Sequence, residues 1–139
     1  MTTEPDLIEL LFELWTVPPD LRTDPVADFG TAYADPVLIN GVPMALADLV
    51  ERARLLHHAF EEHSIEIMDR TEQPGKVAVA FRHTARHTGT WRTPIGEIAP
   101  TGRTVSGLGI DLLTVVDGRI AMIWVLADEL QRIMQVREI

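Results

Sequence analysis

Cysteine is absent from the 139 residues. That excludes disulfides, thiolate metal sites and a cysteine nucleophile. Long apolar runs are absent too, and none reaches the roughly 18 residues of a membrane-spanning helix. Positive charge is scarce: 12 Lys and Arg stand against 21 Asp and Glu, for a net charge of −9. A nucleic-acid binder needs clustered Lys and Arg, and an anionic membrane surface attracts basic segments. Neither is an expected partner. The N-terminal stretch is acidic and lacks the basic region of a secretory signal, so the expected location is the cytoplasm. Repeats, linkers and low-complexity segments are missing as well. What is present is ordinary for a globular chain, with 46% hydrophobic and 24% charged residues. One domain over residues 1–139, with room for a real core, is expected.

The periodicities place the elements. Leu7, Leu10, Leu11 and Leu14 recur at helical spacing in a first helix over residues 3–15, with Thr3 and Asp6 as a capping pair and Pro5 in the first turn. Asp24-Pro25 opens a second, short helix with Val26, Phe29 and Tyr33 inward. Pro36 ends it, because the residue before a proline leaves the helical region. Val37 to Ile39 is a short strand, turned at Asn40-Gly41. Residues 44–62 form the strongest helix, with Leu46, Leu49, Val50, Ala53, Leu56 and Phe60 on one face. His57 and His58 are adjacent, point about 100° apart around it and do not share a metal easily. No metal site is expected.

Four strands follow. Residues 64–70 alternate, and Gln73-Pro74-Gly75 turns the chain. In residues 76–88, Val77, Val79, Phe81, His83, Ala85 and His87 share one face. Residues 89–102 read as a loop. Residues 104–116 and 119–126 form a hairpin around Asp117-Gly118, since that tight turn favours residues that tolerate positive φ. A helix over 128–136 closes the chain. Helices early and hairpin-linked strands late predict an α+β fold with helices on one face of a curved sheet. One carboxylate, Asp111, stands in the middle of the apolar hairpin. Buried and unpaired it is costly, so it either faces solvent or lines a pocket that uses it.

Three stretches carry a family resemblance: HTGTW at 87–91, PTGRTVSGLGID at 100–111 and VVDGRIAMIWVLAD at 115–128. Together with the element order they resemble the SnoaL-like polyketide cyclases, within the superfamily of nuclear transport factor 2 and ketosteroid isomerase. The resemblance covers about 100 residues, 29–128. It implies a cone-shaped, curved antiparallel or mixed sheet wrapped around the N-terminal helices, an apolar pocket and a homodimer. Two departures are visible. SnoaL-like aldol cyclases carry an aspartate just after the tryptophan, where this chain has Val125. They carry a histidine on the preceding strand, where this chain has Asp111. Ketosteroid isomerases offer a different match. Their general base lies in an Asp-Pro-Val, which ADPV at 34–37 reproduces with Asp35. Their protonated oxyanion donor lies in an Ile-Asp, which Ile110-Asp111 reproduces. Their assisting tyrosine falls near Leu11 or Phe12 and is absent there.

Two carboxyls in one apolar pocket can be driven to different pKa values, one a base and the other an acid. The resemblance therefore implies Asp35 as base and Asp111 as acid or oxyanion donor, with no cofactor. His83, His87, Phe81, Trp15, Val125 and Asn40 are the expected substrate-binding residues. The implied activity is a cyclase or isomerase acting on a small, apolar, polyketide-like carbonyl compound in the biosynthesis of secondary metabolites such as antibiotics. Two alternatives stand beside it. One is an epoxide hydrolase or polyether-type ring opener, with Glu66 as a possible second acid. The other is a non-catalytic binding module of the same fold. Trp124 alternates away from Val125, so a pocket-facing Val125 puts Trp124 on an outer face suited to a dimer contact.

Overall fold

A computed structural model describes residues 6–137 of the chain. Helix α1 (Leu7–Thr16) is capped by Asp6, whose carboxylate accepts from the Ile8 N–H and meets one of the donors a helix start leaves open. Thr3 and Pro5, the other residues expected at this start, lie outside the described residues. Asp6 also pairs with Arg70, tying the helix start to the sheet. Ile8, Leu11, Phe12 and Leu14 are buried. After a 3-10 turn at Pro19–Leu21 comes α2 (Pro25–Phe29), capped by Asp24 as its sequence predicts.

Strand β1 (Tyr33–Ile39) begins earlier than the sequence pattern suggests, and Tyr33 belongs to it rather than to the helix before it. The cause is non-local. β1 pairs in parallel with a strand from the end of the chain, Tyr33 opposite Ile120, and the Ile120 N–H donates to Ala32 O. Asn40-Gly41, both at positive φ, turn β1 into the short β2 (Val42–Met44).

Helix α3 (Leu46–Ala59) buries Leu46, Leu49, Val50 and Ala53. It stops short of the expected residue 62, because Phe60 opens β3 (Phe60–Gln73) and is fully buried there. Thr88 and Gly89 N–H groups, arriving from β4 (Lys76–His87), both donate to Ala59 O at 3.0 Å. Gly89 lies so close that a Cβ on it would sit 2.0 Å from His58 O. The expected loop after β4 holds a further hairpin, β5 (Trp91–Thr93) and β6 (Gly96–Ile98). Its pairing is too short to register as a pattern. The predicted hairpin is present as β7 (Thr104–Val116) and β8 (Arg119–Ala127), turned at Asp117-Gly118. Asp128 caps α4 (Glu129–Met134).

The large sheet runs β2-β1-β8-β7-β4-β3, antiparallel except for β1 with β8. Its inner face carries two cores. One joins α1, α2 and α3 to the sheet through residues such as Phe29, Val37, Leu49, Val79 and Leu113. The other gathers Phe60, Trp91, Ile98, Val105 and Ile133 beneath the β5–β6 hairpin and α4. β7 alternates strictly between the two sides. Val105, Gly107, Gly109, Asp111 and Leu113 are buried, while Leu108, Ile110 and Leu112 are exposed. No helix among the described residues is long and apolar enough to cross a membrane.

Candidate active site

A cavity of about 310 Å³ opens on the inner face of the sheet. Leu11 and Phe12 of α1, Leu49 of α3, Ile65 of β3, Phe81 of β4 and Ile123 of β8 form its apolar wall. β7 supplies the floor. Gly107, Gly109 and Asp111 lie there at a period of two, so two positions without side chains lead to one carboxylate. A Cβ on Gly107 would sit 2.5 Å from Arg132 Cγ, and one on Gly109 would sit 2.5 Å from Phe81 Cζ. The glycines keep room for side chains that arrive from elsewhere.

Asp111 faces the cavity, which settles the choice between solvent and pocket. It pairs with Val79 on one side and Val125 on the other. It is 6% exposed, and its Oδ1 has no hydrogen-bond partner among the described residues. Burial pushes its pKa up to about 7, because an apolar site penalises the charged form.

Tyr33 stands on the same wall and is the only tyrosine in the chain. Its hydroxyl accepts from Trp15 Nε1 at 2.9 Å. Burial, and then the neighbouring Asp111 charge, raise its pKa, so the phenol keeps its proton. The Trp15 bond thus leaves the Tyr33 O–H as an unused donor on the cavity wall. Trp15, expected as a substrate contact, lines the cavity while holding Tyr33. Phe81 lines it too, packed against Phe12 at 5.1 Å between ring centroids. Val125 forms part of the rim. Asn40 also lines the cavity, but its amide is engaged by Val125: Nδ2 donates to the carbonyl at 3.2 Å and Oδ1 accepts from the N–H at 2.8 Å.

His83 ends a chain of hydrogen bonds whose tautomers follow by elimination. His63 Nε2 must donate to Phe60 O at 2.9 Å, since a carbonyl only accepts. Burial holds His63 at about 4 and His83 at about 3, so both are neutral at pH 7. His63 Nδ1 is then bare and accepts from His83 Nε2 at 2.9 Å. His83 Nδ1 is bare in turn and faces Arg132 Nη2 at 3.5 Å. His57, packed on His63 with centroids 4.2 Å apart, donates through Nε2 to Trp15 O.

Two expected site residues stand elsewhere. Asp35 does not line the cavity; it is exposed, and its Oδ1 accepts from the Leu46 N–H at 3.3 Å. The register of β1 is irregular between Tyr33 and Leu38. That irregularity breaks the alternation that would have turned Asp35 inward with Tyr33 and Val37. Asp35 instead serves the start of α3, where Ala45 has no side chain to cap. The expected Asp35–Asp111 pair therefore does not form. His87 shares the β4 face with Phe81 and His83, as expected, but lies in the second core. The segment after β6 covers it, and its Nδ1 contacts Thr101 Oγ1 at 3.0 Å. Glu66 is exposed and outside the cavity. Conversely, the sequence pattern offers Tyr33 only as an inward packing residue of the second helix and gives His63 and Arg132 no role. The glycines two and four residues before Asp111, on its own face, were the available signal.

No set of three or more residues that could hold a metal ion converges among the described residues. A family model described as SnoaL-like polyketide cyclase matches residues 13–136. Solved structures agree on the fold. A SnoaL-like polyketide cyclase from Agrobacterium tumefaciens has 15% identity and a TM-score of 0.71, covering 99% of this chain and 100% of its own. TsrD from Streptomyces laurentii has 16% identity and a TM-score of 0.75, covering 99% and 100%. IdmH from Streptomyces antibioticus has 19% identity and a TM-score of 0.75, covering 94% and 95%. Among curated proteins, none matches the sequence significantly.

Proposed function

Because this chain belongs to the SnoaL-like polyketide cyclase family, we propose that it is an acid/base cyclase or isomerase of a polyketide-like carbonyl compound, working without a cofactor in secondary metabolism. Asp111 is the acid–base group. The observation that carries this reading is its unpartnered Oδ1 on the floor of an apolar cavity. A carboxyl with a pKa of about 7 is present in both forms at neutral pH, so it can take a proton and return it.

The step balances on protons alone. The Asp111 carboxylate removes a proton from the carbon beside a carbonyl, and the C–H electron pair moves into the enolate. The Tyr33 O–H donates to the developing oxyanion. In a cyclisation the enolate carbon then bonds to a second carbonyl carbon, and the new alkoxide takes the proton from Asp111. In an isomerisation another carbon takes it. Asp35 has no part in this scheme. Epoxide opening would need a second carboxyl to activate water, and Asp111 is the only carboxylate on the cavity wall among the described residues.

The protein is further proposed to act as a homodimer through the outer face of β7 and β8. Leu108, Ile110 and Leu112 there meet Trp124 and Leu126 in an exposed apolar patch, the kind of surface that marks an interface. Sedimentation velocity tests this: Trp124→Glu should yield a monomer.

Hydrogen–deuterium exchange at the activated methylene of an apolar 1,3-diketone, followed by NMR, tests the acid/base reading without the natural substrate. The native protein should accelerate exchange, and Asp111→Asn should lower that acceleration by about 10²- to 10⁴-fold. Equal rates in the two proteins would leave a binding module of the same fold as the better reading.

A further inference from the structure

The far end of the cavity holds a cation that the chemistry above does not use. Arg132 enters from α4, with its stem lying on Gly107, where a Cβ would sit 2.5 Å from Cγ and 2.6 Å from Cδ. Its side chain is 13% exposed. The guanidinium carbon lies 5.7 Å from the Phe60 ring centroid and 5.6 Å from that of Trp91. Its donors are mostly idle. Nη1 reaches Glu129 at 3.5 Å, Nη2 makes only the 3.5 Å contact to His83, and Nε has no partner. A buried charge with unused donors is expensive unless something pairs with it.

Glu129, itself partly exposed, meets only Nη1, and among the described residues nothing on the cavity side answers the charge at Nη2 and Nε. His83 and His63 are locked in orientation by the bond that ends on Phe60 O. The charged side chains on the wall are Arg132, Arg52 and Asp111. The cavity wall therefore carries two guanidiniums and one carboxyl inside a chain of net charge −9, with Glu129 reaching Arg132 from outside that wall. Along the floor, Arg132 sits at Gly107 and the carboxyl is on Asp111. Four residues of strand span about 13 Å.

We propose that Arg132 anchors an anionic oxygen group of the substrate, a carboxylate at the end remote from the reacting carbon. This inference rests on the acid/base reading and narrows its substrate class. The substrate is an elongated carbonyl compound with an acidic terminus, laid along β7 so that the reacting carbon meets Asp111. Guanidinium suits the task, since its planar fork matches a carboxylate. The apolar wall between the two poles accommodates a hydrocarbon or aromatic body.

The test is direct binding of a probe with no doubly activated methylene, read as affinity alone, so its outcome does not depend on Asp111 chemistry. A naphthyl-butanoate and its methyl ester are titrated by calorimetry into the native protein, Arg132→Gln and Arg52→Gln. The native protein should bind the acid about tenfold or more tighter than the ester. Arg132→Gln should erase that preference, and Arg52→Gln should retain most of it. Equal affinity of acid and ester in the native protein overturns the proposal. So does a preference that survives Arg132→Gln or is lost in Arg52→Gln, which puts the anion at the rim. If Arg132→Gln does not fold, the ¹⁵Nε–¹H signal of Arg132 in the native protein decides. It should shift with the acid and not with the ester, and an unmoved signal overturns the anchor. Failure of the acid/base reading shows separately, as absent diketone exchange.

Discussion

Replacing Asp111 by asparagine should make the protein more stable, and by more at high pH than at low. The folded-state pKa of about 7 stands above the ordinary value of 3.8. Between those values the folded chain holds a proton that the unfolded chain has released. The unfolded state binds fewer protons, so stability falls as pH rises. The penalty is absent below 3.8 and complete above about 7. At 1.36 kcal/mol per pH unit it reaches about 4 kcal/mol at pH 8 and about 2 kcal/mol at pH 5. An asparagine of nearly the same shape carries no charge to desolvate. Its amide N–H groups bring a cost of their own, but one that does not change with pH. Tyr33, His57, His63, His83 and Arg132, titratable groups at or near the cavity, are common to both proteins and cancel to first order. The advantage of Asp111→Asn over the native protein should therefore grow by about 2 to 3 kcal/mol from pH 5 to pH 8. Urea unfolding followed by tryptophan fluorescence at the two pH values measures it. A difference that stays constant with pH, or shrinks as pH rises, would refute the buried, unpaired carboxylate. The expected loss of exchange activity in the same variant would make this a residue kept for chemistry against stability.

Other outcomes follow from the same geometry. Asp35→Ala removes the acceptor for the Leu46 N–H; it should cost about 1 kcal/mol in chemical denaturation and leave diketone exchange unchanged within about twofold. A loss near a hundredfold would restore Asp35 as the base. Tyr33→Phe leaves Trp15 Nε1 without its acceptor. It should cost about 1–3 kcal/mol in thermal unfolding and slow exchange by about 10²-fold; an unchanged rate would remove Tyr33 from the scheme. Gly109→Ala drives a Cβ into the Phe81 ring. It should destabilise by about 1–3 kcal/mol and weaken binding of the naphthyl acid, both read in one calorimetric series.

Much of this was legible because the signals are local. Leu11 and Leu14 repeat at the helical period and Leu46, Leu49, Val50 and Ala53 do the same, so both helices announce their buried faces. Asp24-Pro25 and Asp117-Gly118 mark a cap and a turn through the preferences of their own backbones. Alternation along β8 put Val125 and Trp124 on opposite faces before any partner strand was known. Phe81 and His83 followed from the same rule on β4. His87 shows the limit of that rule. It lies on the predicted face, yet the segment after β6 covers it, and alternation says nothing about what lies above a strand.

The sequence by itself therefore determined the long helices and the long strands, most of the faces they bury, and that a carboxylate stands in an apolar strand. Only the tertiary structure decided what that carboxylate has for company. Tyr33 became a strand residue because β1 pairs with β8 from the far end of the chain. Asp35 left the pocket through an irregularity in that pairing, and Phe60 left the helix because β4 claimed it. Arg132 entered the cavity because α4 folds back over Gly107. Each of these rests on contacts between segments distant in sequence, and the free energy of such contacts overrides the short-range periodicity from which a sequence is read.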